Sequence, residues 1–468
     1  MQQLSGQDAS FVYSELPNAP MHITGVTIYD PSTAPGGKVT FKGILAYMEA
    51  RLHLARSFRQ KMVRVPFDLD HPWWVEDAEF DLEYHVRHIA LPKPGDWRQF
   101  CIQVARLHAR PLDMNRPLWE TYVIEGLDGM EGVPKGSFAL VSKTHHAAID
   151  GKSGVEIANA IHTATPIVEE IDAPAVPWKG EKDPSAAELY TRAMANLVRR
   201  PLRAARVTSH LVPGLGRAFG VARRNDGAVN LGNAPRTRFN GPVSAHRVVD
   251  ARFFGFADLK PMRAKVPGAT VNDVALSVIG GALRAYLEGE SELPDVAMRA
   301  MTPVSVRVES EKADMGNQVS AMVVSLATDI ADPVERLAAV HRSTAGSKEL
   351  TQAIGARTLT DLSQLAPGAL IGLGTRVAGT FARRGNSGAV NCVVTNVPGW
   401  REPLYFAGAR TVRSFGAGPV TDGMGLINIV TSYEQDFVLS FTSCREIMPD
   451  PARYAGLLES TFYALRDA

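Results

Sequence analysis

Alternating polar and apolar residues predict the first strands and helices of the chain. Residues 22–30 alternate and are rich in β-branched side chains, which is typical of a strand. Apolar residues then recur at helical spacing from Phe41 to Leu52, which predicts a helix. A second amphipathic helix is predicted from Trp97 to His108, and a strand over 137–144 follows it.

That strand leads into two adjacent histidines. His145 and His146 follow its last apolar residues, and Asp150-Gly151 is a turn signal. A helical pattern comes next, with Ser153 as its predicted N-cap. We therefore expect both histidines where a strand ends and a turn begins.

The second half of the chain also mixes strands and helices. We predict helices over Val271–Leu287, from Pro333 and from Pro451, and strands over 243–249, 301–308, 318–328, 391–397, 425–433 and 436–444. Hairpins interspersed with helices favour an α+β, mixed-sheet architecture in each half over a doubly wound parallel sheet.

The composition changes between residues 165 and 240. Seven prolines flank one predicted helix, from Ser185 to about Arg206, so this region is a candidate linker. Residues 191–238 contain ten arginines and one acid, Asp226, although the whole chain has 50 Lys+Arg and 49 Asp+Glu. Such a basic segment suits an anionic lipid surface, and it also fits a solvated connecting helix.

Length and composition limit the class of protein. A chain of 468 residues, 45% hydrophobic and 21% charged, predicts two or three globular lobes. Its net charge of +1 argues against binding to nucleic acid through the charge of the whole protein. Three widely separated cysteines argue against a disulfide scaffold and a multi-cysteine zinc site, and favour a reducing compartment. The first ten residues lack a secretion signal, and charge and proline interrupt the most apolar stretch, 365–381. We expect neither secretion nor a membrane span.

The heptapeptide HHAAIDG, residues 145–151, is the strongest chemical signal. A neutral histidine nitrogen can take a proton from a hydroxyl, a role we assign to His146, while His145 orients or packs. Asp150 could fix the loop or the imidazole, and Gly151 permits the turn. We predict no metal, because adjacent histidines rarely bind one ion together and no HExxH motif or cysteine cluster accompanies them.

HHAAIDG matches the HHxxxDG motif of acyl-CoA-dependent acyltransferases and of peptide-synthetase condensation domains. Further segments narrow the match: LSGQDASFVYSELPNAPMHI, PLDMNRPLWE, TRFNGPVSAHRVV, TVNDVAL, PVSVR and TNVPGWREPLYFAGAR. With them the chain resembles the bacterial wax ester synthase/diacylglycerol acyltransferase family over nearly its whole length. Condensation domains would share the histidine motif but not these segments.

The resemblance implies two chloramphenicol-acetyltransferase-like lobes, 1–165 and 241–468, joined by a helical linker, 166–240. The histidine motif would lie on a tunnel between them, with acyl-CoA entering at one mouth and the acceptor at the other. In this family the second histidine, here His146, is the general base that activates a long-chain alcohol or a diacylglycerol for direct attack on the thioester. Acyl-CoA would be a co-substrate, and we expect no cofactor. We expect a cytoplasmic enzyme that contacts the inner face of the plasma membrane or lipid droplets peripherally.

The resemblance also singles out a pair of residues in the second lobe. Asn272 and Asp273 match the family's ND motif. Thr270 and Asp273 also form the pattern of a capping box, so we favour a structural role for Asp273. Asn272 is a candidate for positioning the thioester or its oxyanion.

Two further motifs have more than one interpretation. Arg307 could pair with a buried carboxylate such as Asp150, or it could be a strand arginine that reaches solvent. Pro117, Leu118 and Trp119 match the family's PLW motif, and we favour a turn whose tryptophan packs in the core.

Two other functions remain open from the sequence. One is a condensation-type acyltransferase that uses a carrier-protein thioester. The other is a non-catalytic lipid-droplet binding protein, which the intact histidine motif disfavours. The choice between alcohol and diacylglycerol depends on the shape of the tunnel and has no short sequence signature.

Overall fold

Two six-stranded sheets, each covered by helices, make up most of the fold. A computed structural model describes residues 1–149, 153–174, 176–198, 234–305, 319–354 and 388–468. The strands are β1 (Gln2–Gln3), β2 (His22–Asp30), β3 (Gln60–Val63), β4 (Trp73–Glu76), β5 (Val86–Ala90), β6 (Trp119–Glu125), β7 (Phe138–His145), β8 (Arg247–Gly255), β9 (Arg299–Ser305), β10 (Val319–Ser325), β11 (Cys392–Val397), β12 (Tyr405–Phe406), β13 (Ala409–Ala417), β14 (Leu426–Tyr433) and β15 (Asp436–Cys444). The helices are α1 (Gly6–Ser14), α2 (Phe41–Glu49), α3 (Leu82–His85), α4 (Trp97–His108), α5 (Ser153–Ile161), α6 (186–198), α7 (Leu259–Ala264), α8 (Val271–Gly289), α9 (Pro333–Ile354) and α10 (Pro451–Asp467).

The first sheet has the strand order β12-β13-β2-β7-β6-β5, and only the β5–β6 pair is parallel. Apolar side chains of α2 and α5 pack against this sheet in one core cluster. Phe100 and Val104 of α4 pack in another cluster, together with Val26 of this sheet and Val249 of the second sheet. Helix α4 therefore lies where the two lobes meet.

The second sheet has the order β10-β9-β11-β14-β15-β8, in which β11 runs parallel to both neighbours. Helices α8, α9 and α10 contribute apolar side chains to its core. Helix α8 is buried along most of its length because nearly all its residues from Val274 to Leu283 are apolar or small. A small third sheet, β1-β4-β3, accompanies the first lobe.

Late strands of the chain complete the first sheet. Strands β12 and β13 come from the C-terminal half, yet β13 pairs antiparallel with β2, with Ala417 opposite Thr24. Phe406 of β12 is fully buried, with ring centroids 5.5 Å from Tyr29 and 5.1 Å from Tyr47. A division of the chain at residue 241 does not anticipate this crossover, since the first lobe needs strands from both halves.

Most predicted elements are present, although β9 begins at Arg299, before the predicted residue 301, and β10 ends at Ser325, before the predicted residue 328. Strand β2, helix α4 and strand β15 begin and end at the predicted residues, and the architecture is the predicted mixture of sheets and helices. Strand β8 is a correction, because it begins at Arg247 and not at residue 243. Asp422 accepts a hydrogen bond from the Val243 amide (2.9 Å) and Ser244 Oγ accepts one from the His246 amide (3.1 Å), which hold this stretch in a turn.

Helix ends account for two smaller corrections. Helix α2 ends at Glu49, and Leu52 lies in a separate 3-10 turn. Ser153 is the first described residue of α5 and is not its N-cap. Residues 306–308 of the strand predicted over 301–308, and residues 199–206 of the predicted linker helix, lie outside the described residues. Within the described ranges, none of the helices has the length and apolar character needed to cross a bilayer.

We predict that Phe406→Ala lowers the free energy of unfolding by about 3–5 kcal/mol, because a fully buried ring of the crossover is removed. Chemical denaturation monitored by circular dichroism measures the change. Phe67→Ala is the matched control, since Phe67 is 89% exposed, and it should change the free energy by less than about 0.5 kcal/mol. Equal effects of the two substitutions would contradict the crossover packing.

Candidate active site

The histidine pair lies where the central strand β7 ends. His145 is the last residue of β7, and His146 begins a 3-10 turn, His146–Ala148, as the sequence predicts. The His145 amide donates to the Leu118 carbonyl (2.9 Å), and the His146 amide donates to the Met21 carbonyl (2.8 Å). Because Met21 precedes β2 and Leu118 precedes β6, both neighbouring strands hold the backbone of the pair.

The side chain of His145 is fully buried and fixed at both ring nitrogens. Its Nδ1 accepts a hydrogen bond from the Ala147 amide (3.1 Å), so its Nε2–H donates to Glu15 Oε2 (2.7 Å). The same Glu15 oxygen accepts a hydrogen bond from the Met21 amide (3.3 Å). Neither ring nitrogen of His145 is left to accept a proton from a substrate.

Sequence reasoning did not identify Glu15. It follows helix α1 directly, in a segment that carries the family resemblance, but a single carboxylate at a helix end has no motif of its own. Its contact with His145 spans 130 residues of sequence. Only the fold brings the two side chains together.

His146 has a different environment from its neighbour. It is partly exposed, and its ring stacks on Phe11 of α1 at a centroid distance of 3.8 Å and an interplanar angle of 12°. Its Nδ1 is buried, and among the described residues it has no partner at hydrogen-bonding geometry. Desolvation of the ring lowers the pKa of His146 to about 4. The imidazole is therefore neutral near neutral pH.

Asp273 has the structural role that the sequence favours. The Thr270 amide donates to Asp273 Oδ2 (2.8 Å) and the Asp273 amide donates to Thr270 Oγ1 (3.2 Å), which completes the predicted capping box of α8. His341 Nδ1 (3.0 Å) and Thr344 Oγ1 (2.6 Å) of α9 donate to the same carboxylate. Burial alone would raise the pKa of Asp273, but the bonds from Thr344, Thr270 and His341 outweigh it and lower that pKa.

Asn272 differs from its neighbour in its contacts. Its side-chain oxygen is buried, and no described residue donates a hydrogen bond to it. No hydrogen bond between described residues links Asn272 or Asp273 to the histidine pair. A buried amide oxygen without a donor can accept a hydrogen bond from a ligand. The predicted role of Asn272 in positioning the thioester or its oxyanion stays a prediction.

The PLW motif lies in the core next to the site. Trp119 is buried, and its Nε1–H donates to the Phe58 carbonyl (2.8 Å), which confirms the predicted packing role. Pro117 forms a β-bridge with Lys61. The carbonyl of Leu118 accepts the bond from the His145 amide (2.9 Å), a contact that the sequence does not reveal. The motif thus positions the histidines through its backbone.

Two predicted elements of the site cannot be placed. Asp150, Gly151 and Arg307 lie outside the described residues, so the proposed pairing of Asp150 with Arg307 stays a prediction. Among the residues that are described, no three His, Cys, Asp or Glu side chains are grouped as metal ligands would be.

A second buried histidine network lies behind the site. His22, opposite His145 in the β2–β7 register, donates through Nε2–H to the His108 carbonyl (2.7 Å). His108 Nε2–H donates to the Gly418 carbonyl (3.0 Å), and its Nδ1 accepts from Thr24 Oγ1 (2.8 Å). Burial, with a smaller contribution from the charge of Arg247, lowers the pKa of His108 to about 3. Because Gly418 comes from the C-terminal half, this network ties the crossover to the sheet that carries the site.

Comparisons with known proteins agree with these observations. Residues 4–275 match the wax ester synthase/diacylglycerol acyltransferase catalytic domain, and residues 315–466 match the WS/DGAT C-terminal domain. A Mycobacterium tuberculosis protein, whose name provisionally assigns it diacylglycerol O-acyltransferase activity, is 35% identical over 443 residues, covering 94% of this chain and 91% of that protein. The O-acyltransferase WSD of Acinetobacter baylyi is 32% identical over 457 residues, covering 96% and 93% of the two chains.

A solved structure shows the same fold. The wax ester synthase/diacylglycerol acyltransferase from Marinobacter aquaeolei VT8 matches with a TM-score of 0.69 at 24% identity, covering 99% of this chain and 98% of that chain. The match confirms the two-lobed acyltransferase fold that the sequence resemblance predicts.

We predict that Glu15→Ala lowers the free energy of unfolding by about 1–3 kcal/mol, because the buried Nε2–H of His145 loses its acceptor. Glu15→Gln should cost less, since an amide oxygen can still accept. Thermal and chemical denaturation measure both changes. Glu49→Ala, a glutamate at the exposed end of α2, is the matched control and should change stability by less than about 0.5 kcal/mol. An equally small effect of Glu15→Ala would contradict the anchoring role.

Proposed function

Because the chain belongs to the wax ester synthase/diacylglycerol acyltransferase family and is an acyltransferase, we propose that it transfers a long-chain acyl group from acyl-CoA to diacylglycerol or a long-chain alcohol. The product would be a triacylglycerol or a wax ester. The observation that carries the proposal is that His146 is neutral near neutral pH and partly exposed at the end of strand β7. The adjacent His145 is held by its hydrogen bond to Glu15. The names of the relatives support the class of acceptor.

His146 acts as the general base in this proposal. In the neutral ring we assign the proton to Nδ1, which leaves Nε2 as the acceptor. Nε2 takes the proton of the acceptor hydroxyl as the oxygen attacks the thioester carbonyl carbon. The carbon–sulfur bond then breaks, and the imidazolium returns the proton to the CoA sulfur. The products are an ester and free CoA, without an acyl-enzyme.

Because its pKa is lowered, His146 holds an abstracted proton weakly, and interactions in the substrate complex must stabilise the imidazolium. A base with a pKa of about 4 is always ready to accept a proton near neutral pH, but it holds that proton weakly. The oxyanion of the tetrahedral intermediate and the imidazolium attract each other in a dry site, so each stabilises the other. We propose that Asn272 helps to position the thioester by donating from its Nδ2, because its buried Oδ1 can only accept a hydrogen bond. Acyl-CoA is a co-substrate, and the proposed chemistry needs no cofactor.

We also propose that the enzyme works in the cytoplasm at the inner face of the plasma membrane or at lipid droplets. Acceptors this apolar reside in a lipid phase, so the enzyme must meet that phase to bind them. The arginine-rich stretch 191–238 supports such contact, since each basic residue near an anionic surface contributes about 1 kcal/mol.

We predict that His146→Ala lowers acceptor-dependent CoA release by about 10²-fold or more, the usual contribution of a general base. The assay follows thiol release from palmitoyl-CoA with hexadecanol or dioleoylglycerol. His88→Ala is the control, because His88 also stacks on a phenylalanine, Phe41, at 4.9 Å. No release with either acceptor, or full activity of His146→Ala, would refute the proposed reaction.

We predict that protonation of His146 does not affect kcat/KM between about pH 6 and 8. It should lower kcat/KM only as the pH drops toward the pKa of His146, about 4. The sign follows because protonation removes the accepting lone pair. Phe11→Ala exposes the ring to water and should raise the apparent pKa toward its ordinary value. Phe41→Ala, which removes the comparable stack on His88, should leave the profile unchanged. A wild-type profile with its acid limb near pH 6.5 would contradict the desolvated state of His146.

A further inference from the structure

Helix α6 packs on the first lobe through one face. Leu189 and Ala193 are buried, and Asn196 Nδ2 donates to Asp70 Oδ2 (2.7 Å). The guanidinium of Arg192 lies over the ring of Trp73, 5.2 Å from its centroid. These contacts fix the rotation of the helix about its axis, so its opposite face points away from the lobe.

The opposite face is apolar and exposed. Its large side chains occur at i, i+4, i+7 and i+8, which places them on one stripe: Tyr190, Met194, Leu197 and Val198. Val198 is 76% exposed, and none of the described residues covers the stripe. A water-facing helix surface would normally be polar, so this stripe needs an apolar partner.

A second apolar element lies beside the end of α6. Phe67 is 89% exposed and Leu69 is also exposed, in a loop that leads directly to Asp70, the residue bonded to Asn196. Phe67 and Asp68 have positive φ angles of 59° and 51°, which are unfavourable for residues other than glycine. Two bonds from Arg64 to the Asp68 carboxylate (3.0 and 2.7 Å) hold this turn, which keeps the phenylalanine ring in solvent.

We propose that the stripe on α6 and the tip at residues 67–69 form one surface that inserts into the interface of an anionic lipid layer. The charge of the following sequence favours an anionic lipid layer as the partner. Four arginines follow the stripe directly, with no acidic residue before Asp226: Arg199, Arg200, Arg203 and Arg206. Apolar side chains flanked by arginine are the pattern of an interfacial helix. A protruding phenylalanine at a loop tip suits insertion between lipids better than a flat protein interface.

Contacts of helix α1 connect the loop that follows residues 67–69 with the candidate active site. Tyr13 of α1 contacts His71, with 3.3 Å between its hydroxyl and Nδ1, and its hydroxyl donates to the Asp70 carbonyl (3.4 Å). Two residues earlier on the same helix, Phe11 stacks on His146. Helix α1 therefore links the lipid-facing surface to the base. This inference rests on the proposed function, since it identifies the face through which a lipid acceptor would reach His146.

Co-sedimentation with vesicles of phosphatidylcholine and phosphatidylglycerol tests the surface. Two variants remove the apolar groups separately: Phe67→Ser, and the triple change Met194→Ser, Leu197→Ser and Val198→Ser. Each should lower the partition coefficient about tenfold or more, because each removes apolar area that lipid would bury. Val296→Ser and Val397→Ser are matched controls, since both valines are more than half exposed elsewhere, and they should bind as wild type.

The outcomes separate this proposal from the proposed function. His146→Ala should sediment as wild type, since vesicle binding needs no turnover. If circular dichroism shows that the triple variant does not fold, the vesicle binding of Phe67→Ser alone tests the proposal. Wild-type binding by Phe67→Ser and by a folded triple variant, or no binding by the wild type, would overturn the proposal. Light scattering that shows a wild-type dimer and a monomeric triple variant would overturn it too, because a second copy would then cover the stripe.

Discussion

The candidate site depends on the hydrogen bond between the buried Nε2–H of His145 and Glu15 (2.7 Å). This bond sets the tautomer of His145, whose Nδ1 then accepts from the Ala147 amide and shapes the turn that carries His146. Glu15 also receives the amide of Met21, whose carbonyl in turn accepts from the His146 amide. One carboxylate therefore ties together helix α1, the start of β2 and the end of β7. Because both partners of the bond are poorly hydrated, losing either one leaves a polar group unsatisfied.

Desolvation then gives two adjacent histidines different chemistry. His145 has both ring nitrogens occupied, whereas His146 lies under the ring of Phe11 with a lowered pKa. The buried network of His22 and His108 adds neutral imidazoles behind the pair and no positive charge, since burial lowers both of their pKa values. A neutral base in an apolar setting would suit the uncharged hydroxyl acceptor and the thioester of the proposed reaction.

Sequence patterns predicted those features of the fold that depend on residues close together in the chain. The amphipathic period of Trp97–His108, the alternation of 22–30 and the hairpin that ends in 436–444 gave correct bounds, and the Thr270–Asp273 spacing gave the correct cap. The HHxxxDG motif placed the histidines at the end of a strand. Long-range contacts were not predictable in this way. The bond from Glu15 to His145, the crossover of β12 and β13 into the first sheet and the turn before β8 depend on partners more than 100 residues away.

¹⁵N NMR of the histidine side chains, assigned by comparison with His146→Gln, tests most directly whether His146 is a neutral base whose proton lies on Nδ1. We expect the His146 signals to show the Nδ1–H tautomer at neutral pH and to titrate near pH 4. A His146 that is protonated at neutral pH, or that carries its proton on Nε2 while its Nδ1 stays buried, would contradict the account.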